Sequence, residues 1–376
     1  MGTGALARLR LGGYRFAFRA PWPSAEGPQE VREGIWLALE DDEGRIGVGE
    51  SAPFPGFGME TLASSLSALR LAARFVPGLP PEHFLAAAED LPRLAPVVAS
   101  PGARAALDFA LHDLAAQRAG VPLAALLGGA AAVTTVHANA AIPRLAVPEA
   151  AAAACAAVAA GARCVKLKVG RRPLAEDVAL VRAVREAIGP AVRLRIDANQ
   201  AWSETEAIEA LRALAPFDLE YAEQPVAAGA VGTLARVRAE CGVPIAADEA
   251  LTDLRSARRL IAARAADVFI VKPMALGGIA SSRAVIEIAA GAGIRVTVTS
   301  LVESAVGRTA ALHLAASLGG ESDHGLATGS ALTEDLLPGI ADRPGELLVS
   351  AESGLGEALR LAVVSRTEPY SVEESV

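Results

Sequence analysis

Of the 35 lysine and arginine residues only three are lysine, namely Lys166, Lys168 and Lys272. Arginine serves wherever a cation merely has to be charged, because guanidinium does not give up its proton in proteins. Three positions that keep an amine are therefore candidates for a base, a proton carrier or a compact ammonium. Two of these lysines bracket a run of carboxylates: Lys168, Asp197, Glu223, Asp248 and Lys272 follow one another at intervals of 29, 26, 25 and 24 residues. Each interval matches one βα unit. If each residue ends a parallel strand, all five project around a single barrel mouth although they are distant in sequence. A lone strand-end carboxylate is more often a helix cap or loop anchor. Three in succession, flanked by lysine, fit that reading poorly.

Three anionic side chains with no His or Cys among them suit a hard cation, Mg²⁺ first and Mn²⁺ as the alternative. His83, His112, His137, His313 and His324 form no pair at ligand spacing, which disfavours zinc. His112 falls within a predicted helix as a structural residue, and His324, near the last strand, is retained as a substrate contact. Lys166 and Lys168 lie two apart on a strand and so share a face. Their mutual repulsion beside a divalent cation is expected to bring an amine towards neutrality and make it a general base. Lys272 comes from across the mouth. This arrangement fits removal of a proton α to a carboxylate, with the cation stabilising the enediolate. A non-catalytic barrel that binds an anion is the alternative of another class; simple binding, however, would tolerate arginine.

The elements that must position these groups fall into two regions. Residues 1–125 read as α+β: strand-like runs at 5–10, 14–18, 35–40 and 45–49, broken by a long mobile loop at 20–32, then helices near 59–74, 81–90 and 101–118. Ser100 is the expected cap of the last helix, with Pro101 at its first position. From about 133 short β-branched runs alternate with helical stretches, the pattern of successive βα units. Strands are expected at 133–138, 164–169, 192–197, 219–223, 244–248, 268–272, 295–300 and 323–328. Helices are expected at 173–188, 203–214 with a Ser203/Glu206 capping box, 252–264 and 303–318. The fold class is thus α/β, a (β/α)8 TIM-like barrel over 126–339 with an α+β domain before it. Residues 340–365 look extended and return to the first domain, and 366–376 read as a disordered tail.

Composition narrows the function classes. The formal net charge of −8 and an aromatic content of 4% argue against nucleic acid as a partner. No apolar run is long enough to span a bilayer and the first ten residues lack a signal-peptide core, so a cytoplasmic location is expected. Cys155, Cys164 and Cys241 show no paired spacing and read as small buried side chains. Neither G-x-G-x-x-G nor a P-loop occurs. The expected partner is a small-molecule carboxylate, with a homo-oligomer as an option.

Taken together, K-L-K (166–168), D-A-N (197–199), E-Q-P (223–225), A-D-E (247–249) and V-K-P (271–273) resemble the enolase superfamily, in the branch of muconate cycloisomerases, dipeptide epimerases and o-succinylbenzoate synthases. The resemblance covers nearly the whole chain and makes the first region a capping domain. It implies that Asp197, Glu223 and Asp248 bind Mg²⁺, that Lys168 and Lys272 are the acid/base lysines, and that Lys166, Glu249 and Asn199 support them. The stretches 49–61, 271–278, 298–308 and 324–329 resemble the synthases. The D-x-D that dipeptide epimerases carry at the last strand to hold an α-ammonium is replaced here by Gly325 and Ala327. The synthase, a lyase of menaquinone biosynthesis that dehydrates a succinyl cyclohexadiene carboxylate, is accordingly ranked first. An N-acylamino acid racemase or dipeptide epimerase comes second and a cycloisomerase third. Trp22, Phe54 and Phe57 on the capping loops, and Ser300, Glu303 and Gly325 on the last strands, are the candidate substrate contacts.

Overall fold

The computed structural model describes residues 5–22, 27–75, 77–78, 95–320, 322–340 and 343–366. The helix expected at 81–90 and, Arg366 apart, the expected tail lie outside these residues. The chain opens with an antiparallel sheet in the order β1 (Leu6–Trp22), β2 (Gln29–Asp41), β3 (Ile46–Ser51). Two short strands were expected where β1 runs unbroken, paired with β2 from Leu6↔Asp41 to Trp22↔Gln29. Within the loop expected at 20–32, residues 20–22 and 29–32 are strand. Its polar residues imitate a loop, but in β2 Glu33 is exposed while the adjacent Arg32, on the other face of the pleat, is buried.

Helices Leu62–Ala73 and Pro101–Ala119 cover one face of this sheet. The second approaches β3 closely because residue 49 is glycine; a Cβ there would strike the Ala106 carbonyl. Ser100 occupies the cap position without a side-chain cap bond. Glu60 takes that role instead, accepting from Gly102 N at 2.8 Å and Ala103 N at 3.4 Å.

The barrel follows as β4 (Thr135–Ala138), β5 (Ala140–Ile142), β6 (Cys164–Lys168), β7 (Arg193–Asp197), β8 (Leu219–Glu223), β9 (Ile245–Ala247), β10 (Val268–Val271), β11 (Arg295–Val298) and β12 (Asp323–His324). Strands β5 to β11 form one parallel sheet in sequence order. Their wholly apolar stretches, such as Val268–Val271, are what a sheet buried on both faces requires. The ring closes through β12, which pairs parallel with β4 and is tied to β11 where Gly325 N donates to Val298 O at 2.8 Å. The last strand is shorter than the expected 323–328: beyond His324 the pairing continues only as a bridge between Gly325 and Thr299, with Gly325 O accepting from Ser300 N at 3.2 Å and from the Thr299 hydroxyl at 2.7 Å. The Ser203/Glu206 capping box is present and opens helix Glu204–Leu214.

Beyond the barrel, β13 (Gly345–Leu348) pairs antiparallel with β4, and helix Glu357–Val364 occupies residues expected to be extended. Leu355 N donates to Asp113 Oδ1 at 2.8 Å, which fastens this segment to helix Pro101–Ala119. No helix of the described residues is long and apolar enough to cross a membrane.

Candidate active site

The strands bring the predicted groups to one level. Lys168 pairs with Asp197 across β6 and β7, and Asp197 with Glu223 across β7 and β8, so their side chains leave the barrel rim in one row. Asp248 stands one residue beyond β9, and Lys272 one beyond β10, where it opens the short helix Pro273–Leu276. Asp197, Glu223 and Asp248 are 1–2% exposed. Lys168 Nζ donates to Asp197 Oδ2 and Asn199 Oδ1, both at 2.6 Å. Lys166 Nζ donates to both Glu223 oxygens, at 2.9 and 3.1 Å, and lies 3.2 Å from Asp197 Oδ2. Lys272 Nζ lies 2.7 Å from Asp248 Oδ1 and donates to Oδ2 at 2.8 Å. Asn199 links the groups further, since its Nδ2 donates to Glu249 Oε1 at 3.3 Å.

Burial works against every charge in this cluster, and pairing decides which survive. It raises the Asp197 carboxyl, but the Lys168 and Lys166 ammoniums outweigh it and hold Asp197 well below the usual carboxylate range. Glu223 is pushed up by burial and then by Asp197, against the pull of Lys166. Asp248 is pushed up by burial against the pull of Lys272. Burial lowers Lys166, but Glu223 and Asp197 raise it more, so they hold it as a cation. Among the described residues no group of three Asp, Glu, His or Cys side chains is drawn in as ligands around one point. Each carboxylate is engaged by an ammonium instead.

Backbone strain accompanies the cluster. Asn199, Gln200, Gln224 and Val302 all have positive φ, and all four follow barrel strands at this rim. Gln224 is fully buried, and its Oε1 accepts from Asp248 N at 3.0 Å and Ala250 N at 3.1 Å, which sets the turn that presents Asp248. Its place in E-Q-P was a legible signal that the sequence reading left unused.

The candidate substrate contacts divide. Phe57 reaches the cluster, with Lys272 Nζ 3.9 Å from its ring centroid. Trp22 stacks on Phe18, and Phe54 is buried with the Arg32 guanidinium over its ring. Ser300 Oγ bonds Thr328 Oγ1 at 2.6 Å, and Glu303 Oε2 accepts from Leu301 N at 2.8 Å, so both brace the loop after β11. At Gly325 a Cβ would meet Thr299 Oγ1 at 2.4 Å, which leaves no room for a side chain. His324 is not a substrate contact: its ring is buried in the barrel wall, its Nδ1 accepts from Val298 N at 3.0 Å, and burial lowers its pKa to about 3. His112 is buried within its helix and bonds Asp108 O at 2.9 Å. Arg195 lies inside the barrel, 1% exposed and paired with Glu220 at 2.6 Å.

Two residues absent from the sequence reading tie the capping sheet to the rim. Arg32 donates to Val302 O at 3.2 Å, to Pro53 O at 2.9 Å and to Ala52 O. Glu50 accepts from Ser304 and Gly307 at the start of helix Ala305–Ser317. Neither carries a local signal, because their partners lie some 20 to 270 residues away in sequence.

Known proteins resemble this chain over most of its length. A crystal structure of a dipeptide epimerase from Enterococcus faecalis, complexed with Mg and the dipeptide L-Leu-L-Tyr, superposes with a TM-score of 0.87 at 30% identity, covering 94% of this chain and 99% of that one. An N-succinyl-L-Arg/Lys racemase from Bacillus cereus is 30% identical over 316 residues, 82% of this chain and 84% of its own. An o-succinylbenzoate synthase from Thermobifida fusca is 44% identical, but over 198 residues, 52% of this chain and 60% of its own. The order that put the synthase first is therefore not upheld: the likeness that spans the molecule is to epimerases and a racemase. Residues 17–128 match the mandelate racemase/muconate lactonizing enzyme N-terminal domain and 149–363 the enolase C-terminal domain-like family, so the chain belongs to the enolase superfamily.

Proposed function

We propose that this chain removes and returns the proton on a carbon α to a carboxylate, racemising or epimerising an N-acylated amino acid in the presence of a divalent cation. The observation that carries the reading is the placement of two lysines, Lys168 after β6 and Lys272 after β10, against carboxylates on either side of the same cluster. Inversion at one carbon needs a group on each face, one to take the proton and one to deliver it. A dehydration that takes and returns protons on one face needs only one.

The donor set fits Mg²⁺, with Mn²⁺ as the alternative: Asp197, Glu223 and Asp248 are three buried hard-oxygen groups on consecutive strands, and nitrogen and sulfur ligands are absent from the row. These three would hold the cation, exchanging ammonium contacts for metal contacts. The relative's Mg-bound crystal structure supports the same choice. A bound cation supplies neutralisation of the charge that builds on the substrate carboxylate as the α-proton leaves. Lys168 Nζ takes or gives that proton from one side and Lys272 Nζ from the other. Lys166 stays charged between Glu223 and Asp197 and fixes both. Asn199 and Glu249 keep Lys168 and the Asp248 turn in register, and Phe57 shields the Lys272 side from water.

A dehydrating synthase is the second reading, favoured by the absence of space for an acid at Gly325. Incubation in D₂O with Mg²⁺ separates the two. N-acylamino acids and a dipeptide panel are followed by NMR for α-deuteration with inversion, and the cyclohexadiene precursor by ultraviolet absorbance for aromatic product. Inversion supports the proposal; aromatisation without any α-exchange overturns it. Lys168→Arg and Lys272→Arg should each abolish inversion while Mg²⁺ affinity stays within about tenfold.

A further inference from the structure

The two lysines at the rim are held by different parts of the molecule. Lys168 ends β6, and its Nζ donates to Asp197 and Asn199, both carried by the barrel. Lys272 instead begins a segment that leans on the capping domain. Its Nζ lies 3.9 Å from the ring centroid of Phe57, and Met274 Sδ accepts from Ala52 N at 3.4 Å. After the single turn Pro273–Leu276 come Gly277 and Gly278, at φ 82° and 113°, and then helix Ile279–Gly291. The segment is bonded back on itself, since Leu276 N donates to Lys272 O at 3.0 Å and Gly278 N to Pro273 O at 2.8 Å. Whatever fixes the start of that helix therefore also fixes Lys272.

The helix start is not capped by its own loop. Helices Glu204–Leu214 and Ala305–Ser317 take a cap bond from the adjacent Ser203 and Ser304, but here the cap position is Gly278, which has no side chain to offer. The oxygens come from the other domain. Asp108, on helix Pro101–Ala119, accepts from Ile279 N through Oδ1 and from Ala280 N at 3.3 Å through Oδ2. Its carboxylate is buried, and a Cβ at Gly278 would strike it, so glycine is what admits the contact. One turn earlier on the same helix Arg104 packs against Gly277, where a Cβ would meet its Nε at 3.1 Å. One turn later His112 Nδ1 lies 3.3 Å from Asp108 Oδ1. Burial lowers the His112 imidazole and the charge of Arg283 adds to this, but Asp108 outweighs both and raises it. The barrel thus gains a fixed helix start after β10 only while the capping domain supplies Asp108.

We infer that Asp108 is a positioning residue for Lys272: through the start of helix Ile279–Gly291 it ties this lysine, and not Lys168, to the capping domain. The consequence for catalysis rests on the function proposed above, in which each lysine serves one face of the α-carbon, and the test separates the two. Losing Asp108 then disables one face and spares the other, whereas a general loosening of the fold would weaken both.

Because the chain has only three lysines, protein labelled with ¹³C at lysine Cε gives three side-chain NMR signals. Lys272→Arg assigns one of them, and Phe57→Leu shows where that signal goes once the ring is removed. Before Mg²⁺ is added, Asp108→Ala should move the Lys272 signal towards its Phe57→Leu position and leave those of Lys166 and Lys168 in place. Asp108→Asn keeps an acceptor for Ile279 N and should restore the native signal, since asparagine caps a helix as well as aspartate does. If the alanine variant does not fold, Asp108→Ser, whose oxygen is too short to reach both amides, makes the same comparison. N-acetyl-D-leucine and N-acetyl-L-leucine are then followed separately for α-deuteration in D₂O with Mg²⁺. A misplacement of about 1 Å can cost about a hundredfold, so Asp108→Ala should slow one enantiomer by about that factor and the other by less than about threefold. The slowed enantiomer should be the one whose exchange Lys272→Arg abolishes. An unmoved Lys272 signal, displacement of all three signals together, a displacement that Asp108→Asn does not repair, or equal slowing on both faces overturns the inference. A displaced Lys272 signal in a protein that exchanges neither enantiomer leaves the positioning role standing and counts against the proposed chemistry. Exchange of both enantiomers by the native protein with an unmoved Lys272 signal in the variant does the reverse.

Discussion

Replacing Glu50 by glutamine tests whether one carboxylate fastens the capping sheet to the barrel. Glu50 is fully buried on β3 and receives four donors. Oε1 accepts from the Tyr14 hydroxyl and from Ser304 N at 2.8 Å; Oε2 accepts from Ser304 Oγ at 2.6 Å and Gly307 N at 2.7 Å. A glutamine side chain of the same shape keeps one acceptor oxygen and turns the other into a donor. Two of the four donors then face an NH₂ group. A buried donor left unsatisfied costs about 1–3 kcal/mol, so the pair costs about 2–6 kcal/mol, and rotation of one hydroxyl returns part of it. The expected loss is about 2–4 kcal/mol, a large share of the roughly 5–15 kcal/mol that holds an ordinary domain folded. Urea unfolding measures it as a lower midpoint at unchanged slope. The same change should lower kcat/KM, because Ser304 closes the loop on which Ser300 and Glu303 are braced. A loss below about 1 kcal/mol would show that packing alone joins the two regions and refute the reasoning.

Arg32→Met should cost about 3–5 kcal/mol, since it leaves the carbonyls of Ala52, Pro53 and Val302 without their buried donor. Arg32→Lys should recover part of that stability in the same unfolding assay and little of the activity, because a single ammonium cannot span three carbonyls. His313 is buried, accepts from Ala124 N at 3.1 Å, and is lowered by burial to about 4. The unfolded chain therefore takes the proton first, so stability is full above about pH 6.5 and is lost as pH falls towards 4 at about 1.4 kcal/mol per unit. His313→Gln should narrow the native protein's stability loss between pH 7 and pH 5 by about 2 kcal/mol, and parallel pH curves would exclude this.

The barrel was legible because the βα units carry their own local signal, an apolar run followed by a helical stretch, and the unit length puts Lys168, Asp197, Glu223, Asp248 and Lys272 in phase. What was illegible depends on contacts across the chain. Arg32 and Glu33 look alike as charged neighbours until the pleat assigns one inwards and the other out. Ser100 has the right type for a cap, yet Glu60, forty residues earlier, supplies the oxygen. The raised Lys166 ammonium was not legible, because the sequence shows the neighbouring ammonium of Lys168 but not that Glu223 and Asp197 close on the same nitrogen. The left-handed backbone of Val302 has no sequence signature, since a β-branched residue is the last expected there and is held by Ser300 within its loop and by Arg32 from outside it.

Substrate charge is bounded at the end of the last strand. A dipeptide brings an α-ammonium that needs a counter-ion, and there Gly325 has no room for one, while the next candidate position is Ala327. A missing acid can be replaced from another loop, so this feature alone does not choose among the substrates that the proposed function allows. The two lysines proposed as acid and base do not choose either, since both would act at the α-carbon. Selectivity would therefore reside in the residues that surround the reacting atoms.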